Sequence, residues 1–241
     1  MRHELSGTGW RPNDFFLWGP RVLADNNANR QLGILQAVRR TTQVMKEHLT
    51  KISSDPYDEN LDKADNAFRY DAWRFFYPTA EGRYSNGVQF LEDYVRGLRP
   101  ELQTSKPLTL RHMELLRLFQ AWSDMLGDAH ANLYRTELDG HAIRPWENDD
   151  LFYHAQGYTH VMAACLRAIQ REYARSFADR EALGPLVEEV AQSLEHAARL
   201  KPLIVLDGSD AGLTANHRRN LDVYVAEARQ KIYSIREELE K

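Results

Sequence analysis

Nine histidines are the residues that first suggest chemistry, because imidazole binds metals and transfers protons near neutral pH. One helical cluster contains Asp124 and Asp128, whose spacing of four residues places both carboxylates on the same face. His130 is turned about 200° from Asp128 on an α-helix and points elsewhere. Neither HExxH nor Glu-x-x-His occurs in the sequence. We therefore expect a solvated helical face here, with no metal and no cofactor.

A second group of chemical side chains, Asp150, His154 and Tyr158, follows a spacing of four residues. A carboxylate beside an imidazole can orient it as a general base, although the same spacing suits an ordinary pair at the start of a helix. The alternative function is thus a hydrolase or metal-dependent enzyme that uses Asp150, His154 and Asn216 or His217. That enzyme requires these distant residues to converge in one pocket.

Two other motifs indicate structure rather than catalysis. Residues 206–212 are similar to a calcium loop, but Ala211 and Arg218 stand where oxygen ligands are needed. We expect a turn there, followed by Asn216 as the N-cap of the last helix. Cys165 is the single cysteine, so an intrachain disulfide is excluded, and its apolar neighbours predict a buried, unreactive thiol.

The composition is that of a soluble globular chain. The 241 residues include 31 Lys+Arg and 35 Asp+Glu, and the net charge of −4 excludes the basic footprint of a nucleic-acid-binding protein. Hydrophobic residues make up 43% of the chain, and no apolar run approaches the roughly 18 residues that span a bilayer. We predict one helical domain over residues 1–241.

Apolar residues recur at helical intervals along almost the whole chain. The pattern predicts an all-α fold, an irregular bundle of six to eight mostly antiparallel helices. Residues 1–30 contain glycines, prolines and aromatic rings and are expected to form an extended arm packed on the bundle. The aromatic segment 68–84 is expected to pack across it. The predicted helices cover about residues 29–52, 61–68, 85–98, 108–138, 149–173, 180–200 and 216–239.

Three blocks of sequence resemble one bacterial family, which is named domain of unknown function 2333. The blocks follow the family's order and bracket nearly the whole chain: GWRPND at 9–14 with LADN at 23–26 and QLGIL at 31–35, DDLFYHAQG at 149–157, and PLIVLDGS at 202–209 with ANH at 215–217. The resemblance implies a mostly helical protein of unassigned activity. It also implies one transmembrane helix near the N-terminus, which this chain lacks.

The resemblance implies a location but no catalytic residues. An anchored native protein would lie at the bacterial inner membrane with this part on the periplasmic side; without an anchor it would be cytoplasmic. The motif positions suggest a shared polar surface, in which Asp150 and His217 accompany six binding candidates: Asn13, Asp14, Asp25, Asn26, Tyr153 and Asn216.

These observations favour a non-enzymatic protein-binding or scaffolding module of the cell envelope. Its partner is an unidentified protein rather than nucleic acid, and it meets the membrane only through an upstream anchor. Exposed Tyr and Trp side chains would support this hypothesis, because such rings are enriched at interface hot spots. Homodimer formation through the charged last helix is the weaker alternative.

Overall fold

Helices account for most of the computed structural model, which describes residues 1–13, 21–50, 56–107, 112–138, 140–172, 183–200, 202 and 216–240. Within these residues the predicted all-α class is confirmed. The α-helices are α1 (Arg21–Val44), α2 (Glu59–Phe68), α3 (Ala80–Gly97), α4 (His112–Tyr134), α5 (Pro145–Glu172), α6 (Leu183–Arg199) and α7 (His217–Glu240). Two π-helical turns, Glu4–Thr8 and Met45–Leu49, accompany them.

The first long helix begins earlier than predicted, at Arg21 instead of Asn29. The extended arm is therefore shorter than expected, since residues 21–30 are helical and Glu4–Thr8 forms a helical turn. The apolar stripe did not reveal this start because asparagines at positions 26, 27 and 29 interrupt it, and asparagine is a typical N-cap residue. Polar contacts then hold the helix where the predicted start lay. Asn29 Nδ2 donates to Asp150 Oδ1 at 2.5 Å, and Arg30 Nη1 lies 3.1 Å from both carboxylate oxygens of Glu4.

The predicted helix 108–138 is too long at its C-terminal end. Helix α4 ends at Tyr134, and a small antiparallel hairpin follows, β1 (Glu137–Leu138) and β2 (His141–Ala142). Gly140 in its turn has a φ of 81°, which glycine adopts without a steric cost. Among the described helices α5 is the longest, with 28 residues.

Side-chain caps explain where two of the helices start. Asp58 accepts hydrogen bonds from the backbone N–H groups of Asn60 and Leu61 at the start of α2. The predicted N-cap of the last helix is confirmed, because Asn216 Oδ1 accepts the N–H of Arg219 at 2.9 Å. The strand-like residues 203–206 and the loop 206–212 lie outside the described residues.

The apolar faces bury two clusters. In the larger one α1 packs on α5, α5 on α6, α6 on α7, and α7 on α4. The smaller one joins α2 and α3 to the N-terminal segment around Trp10, Phe68 and Tyr84, all fully buried. Trp10 donates from Nε1 to the carbonyl of Ala72 at 2.9 Å and meets the Tyr84 ring edge-on at 4.9 Å. The N-terminal segment thus packs on the helices, as predicted.

Two glycines allow α1 and α5 to approach until their backbones touch. A Cβ at Gly33 would overlap the carbonyl oxygen of His154, and one at Gly157 would lie 2.7 Å from the backbone nitrogen of Ile34. Backbone atoms in helices cannot move aside as a flexible side chain can. The crossing of α1 and α5 therefore requires glycine at both positions.

Gly157→Ala is expected to lower the free energy of unfolding by at least about 2 kcal/mol, the usual scale of overpacking. The reason is that the new methyl group would separate α1 from α5. Urea denaturation measures the change.

Gly127→Ala in α4 is the matched control, since the nearest group there is the flexible guanidinium of Arg229 at 3.2 Å. It should leave stability unchanged or raise it by up to about 1 kcal/mol through helix propensity. Equal stability of Gly157→Ala and the wild type would contradict the close crossing.

Candidate functional site

A cavity of about 760 Å³ opens between the N-terminal turn, α1, α5 and α6. We call it the α5 cavity. Its volume lies within the usual range for small-molecule pockets, about 300–1,000 Å³. It is lined by His3, Glu4, Asn26, Asn27, Arg30, Tyr153, Gln156, His160, Ala163, Ala164, Arg167, Glu195, Ala198 and Arg199.

Helix α5 supplies six of the fourteen lining residues, more than any other element, because of its periodicity. Tyr153, Gln156, His160, Ala164 and Arg167 follow at intervals of three or four residues, so their side chains share one face of the helix. Small side chains on this face and on α6 leave the space open. Replacing one of these alanines with a large residue would fill it.

Charges of both signs meet on the walls of the α5 cavity. Arg30 pairs with Glu4, whose side chain is only 6% exposed. Arg167 Nε donates to Glu195 Oε1 at 2.6 Å, and Arg199 approaches the other oxygen of Glu195 at 3.4 Å. Each arginine in the lining therefore has a carboxylate partner, but Arg167 and Arg199 share Glu195, so the lining has one guanidinium more than it has carboxylates.

Other polar groups in the α5 cavity differ in how far they are satisfied. Tyr153 donates its hydroxyl to the carbonyl of Pro202 at 3.2 Å, and Gln156 donates to the carbonyl of Leu200. Oδ1 of Asn26 is buried and has no hydrogen-bond donor among the described residues. The surrounding protein and the charge of Arg30 lower the pKa of His160, which favours the neutral imidazole.

The predicted binding residues divide between different places. Asn26 and Tyr153 both line the α5 cavity. Asn13 is buried and donates to the carbonyl of Arg74, while Asn216 caps α7. Asp14 and the side chain of Asp25 lie outside the described residues. A role in binding stays a prediction for all six.

The residues of the enzyme alternative have structural contacts. Asp150 accepts a hydrogen bond from Asn29, and the ring of His154 meets that of Tyr158 at 4.9 Å. Burial lowers the pKa of His154, which lines a second cavity of about 360 Å³ together with Trp73. His217 is the first residue of α7. Catalysis by Asp150, His154 and His217 stays a prediction.

The structure accounts for the other chemical side chains that the sequence indicated. His130 turns away from Asp128, as predicted, and its Nδ1 lies 2.7 Å from Asp222 Oδ1 on α7. Burial raises the pKa of Cys165 to about 11, in agreement with an unreactive thiol. Within the part of the chain that the structure describes, no three His, Cys, Asp or Glu side chains lie close enough to hold a metal ion.

A second candidate surface is the segment from Trp73 to Tyr77 between α2 and α3, which we call the aromatic loop. Its aromatic side chains are 62% (Trp73), 51% (Phe75), 76% (Phe76) and 93% (Tyr77) exposed. The prediction that segment 68–84 packs across the bundle is wrong for these four residues. The rings that do pack inward, such as those of Phe68 and Tyr84, belong to the flanking helices.

Hydrogen bonds fix the backbone on both sides of the aromatic loop. The carbonyl of Arg74 accepts from Asn13 Nδ2 at 3.0 Å and from the backbone N–H of Ala80 at 3.1 Å. The Tyr70 hydroxyl donates to the carbonyl of Pro78 at 2.9 Å, and the Trp73 N–H donates to Asp71. The exposed rings are therefore presented from an anchored segment.

Comparison with known proteins identifies a family for this chain. A family model described as an uncharacterised protein conserved in bacteria matches residues 5–137 and 123–241. The chain belongs to that family, which is domain of unknown function 2333. No curated protein and no solved structure matches the chain significantly. Among the described residues, every helix is too short or too polar to cross a bilayer.

The ion pair between Arg167 of α5 and Glu188 of α6 predicts that stability depends on pH. Hydrogen bonds from Arg167 and Gln192 hold the pKa of Glu188 at about 2, compared with an ordinary value of 4.5. The stabilisation is complete above pH 4.5 and is lost as the pH falls towards 2. Since the pair is partly exposed, Glu188→Gln should lower the free energy of unfolding at pH 7 by no more than about 1 kcal/mol.

Urea denaturation of the wild type and Glu188→Gln at several pH values measures this difference, which should shrink between pH 5 and pH 2. Glu172→Gln is the control, because Glu172 is exposed at the end of α5, the helix that carries Arg167. A difference that stays constant with pH would contradict the assignment.

Proposed function

We propose that this protein is a non-enzymatic binding module of the bacterial cell envelope and that the aromatic loop is its docking surface for a protein partner. The observation that carries the proposal is the exposure of Trp73, Phe75, Phe76 and Tyr77 in one segment. The proposed location is the periplasmic side of the inner membrane. The family resemblance set out above supports that location.

Exposure of these rings is costly to the isolated protein. Each large apolar side chain left in water forgoes about 1.5–3 kcal/mol that burial would provide. A partner that covers the rings recovers this free energy. Trp, Tyr and Arg are also the side chains most enriched at interface hot spots, and all three types occur between Trp73 and Tyr77.

The anchored backbone makes the aromatic loop suitable for docking. Phe75 and Phe76 already meet edge-on, with ring centroids 5.6 Å apart. A surface with its backbone and part of its ring geometry fixed loses less conformational entropy on binding. The backbone of the aromatic loop and part of its ring geometry are therefore already fixed before a partner binds.

Nearby arginines indicate the chemistry of the partner. Arg74 is exposed between the rings, and the guanidinium of Arg83 lies 5.2 Å from the centre of the Tyr70 ring. Arginine at the rim of an interface selects carboxylates on the opposite surface. We expect the partner to offer an apolar pocket bordered by Asp or Glu.

The combined variant Trp73→Ser, Phe76→Ser and Tyr77→Ser should fold normally and lose at least about 100-fold in affinity for the partner, because it removes three hot-spot rings. The partner is first identified by a photoreactive amino acid placed at Tyr77 in living cells. Isothermal titration calorimetry with the purified partner then compares the variant with the wild type.

The control variant combines Met113→Ser on α4 with Val223→Ser on α7. Each of these two side chains is 62% exposed. It should bind as the wild type does. Three outcomes would overturn the proposal: no crosslink above that of a probe at Met113, a crosslink only to a second copy of this chain, or loop-dependent binding to phosphatidylglycerol vesicles without a protein partner.

A further inference from the structure

The α5 cavity has the features of a ligand site that is separate from the aromatic loop. We infer that it binds a small zwitterion, a short peptide with a free ammonium and a free carboxylate. The inference rests on the one guanidinium that its walls carry in excess of carboxylates, on the Asn26 oxygen, which has no donor among the described residues, and on the space left by its alanines.

The charges on the walls suit a zwitterion better than a simple cation. The guanidiniums of Arg30 and Arg167 are paired with Glu4 and Glu195, and Arg199 shares Glu195, so the lining has one guanidinium more than it has carboxylates. The additional guanidinium can bind a ligand carboxylate. A zwitterion brings its own ammonium group, so its binding adds no net charge to the site.

The acceptor for the ammonium group of the ligand lies on α1. Oδ1 of Asn26 is shielded from water and has no donor among the described residues, which costs free energy until a donor arrives. An ammonium group carries three N–H donors, so it can satisfy this oxygen and still turn towards a carboxylate.

The carboxylate end fits the side chains on the opposite wall. The Arg199 side chain is 76% exposed, and its contact with Glu195 at 3.4 Å is the longest of the arginine–carboxylate contacts in the cavity. It is therefore free to turn onto a ligand carboxylate. The neutral imidazole of His160, which also lines the cavity, offers an N–H donor without adding charge.

Calorimetric titration with the dipeptide L-alanyl-L-alanine tests the inference. The free dipeptide should bind, and the N-acetylated and C-amidated forms should each bind at least about tenfold more weakly, because each lacks one charge-assisted hydrogen bond. The substitution Asn26→Leu should weaken binding of the free dipeptide by a similar factor. It should leave the affinity for the acetylated dipeptide unchanged.

A bulky substitution in the lining of the α5 cavity tests whether the dipeptide binds there. Ala164→Phe takes up part of the α5 cavity and should weaken dipeptide binding at least as much as Asn26→Leu does, whereas Ala168→Phe, one turn further along α5 on an exposed position, should bind as the wild type does. Circular dichroism checks that both variants fold. The triple variant of the aromatic loop should also bind the dipeptide normally, so the two proposals can fail independently.

Several results would overturn the inference. They are the absence of heat with all three peptides, undiminished binding by Ala164→Phe, and equal or tighter binding of the acetylated dipeptide. The last result would identify a simple anion site.

Discussion

The close crossing of α1 and α5 is the constraint on which the rest of the structure depends. Gly33 and Gly157 bring the two backbones together, and no other residue type fits at either position without separating the helices. This contact sets Asn26 and Arg30 of α1 opposite Tyr153 and other residues of α5. The α5 cavity exists because small residues continue along the same face of α5 beyond the crossing, where α6 forms the next wall.

A second, smaller core supports the aromatic loop. Trp10 and Tyr84 are buried against each other, and they fix the N-terminal segment to the helices that flank the loop. Hydrogen bonds from Asn13 and Trp10 then hold its backbone. The same cluster of aromatic sequence thus has two physical roles: rings on the flanking helices stabilise the fold, while rings in the connection remain in water.

Much of the fold could be predicted from the sequence, because helical apolar periodicity is a local signal. The α2 region and the Asn216 cap were predicted correctly, as was the turn of His130 away from Asp128. Boundaries failed where polar residues interrupt the apolar period inside a helix, as in the first turns of α1. The α5 cavity was missed, although Tyr153, Gln156, His160 and Arg167 stand at helical spacing and could have indicated a polar face.

The sequence by itself determined the helical class, the unreactive thiol of the partly buried Cys165 and the family, since these depend on local pattern and residue type. Only the tertiary structure decided which polar residues share a cavity and which aromatic residues stay exposed. The carboxylate partner of Arg30 lies 26 positions away at Glu4, and the donor to Asp150 lies 121 positions away at Asn29. Such pairings follow from how helices pack against each other, and helical periodicity carries no information about which helix faces which.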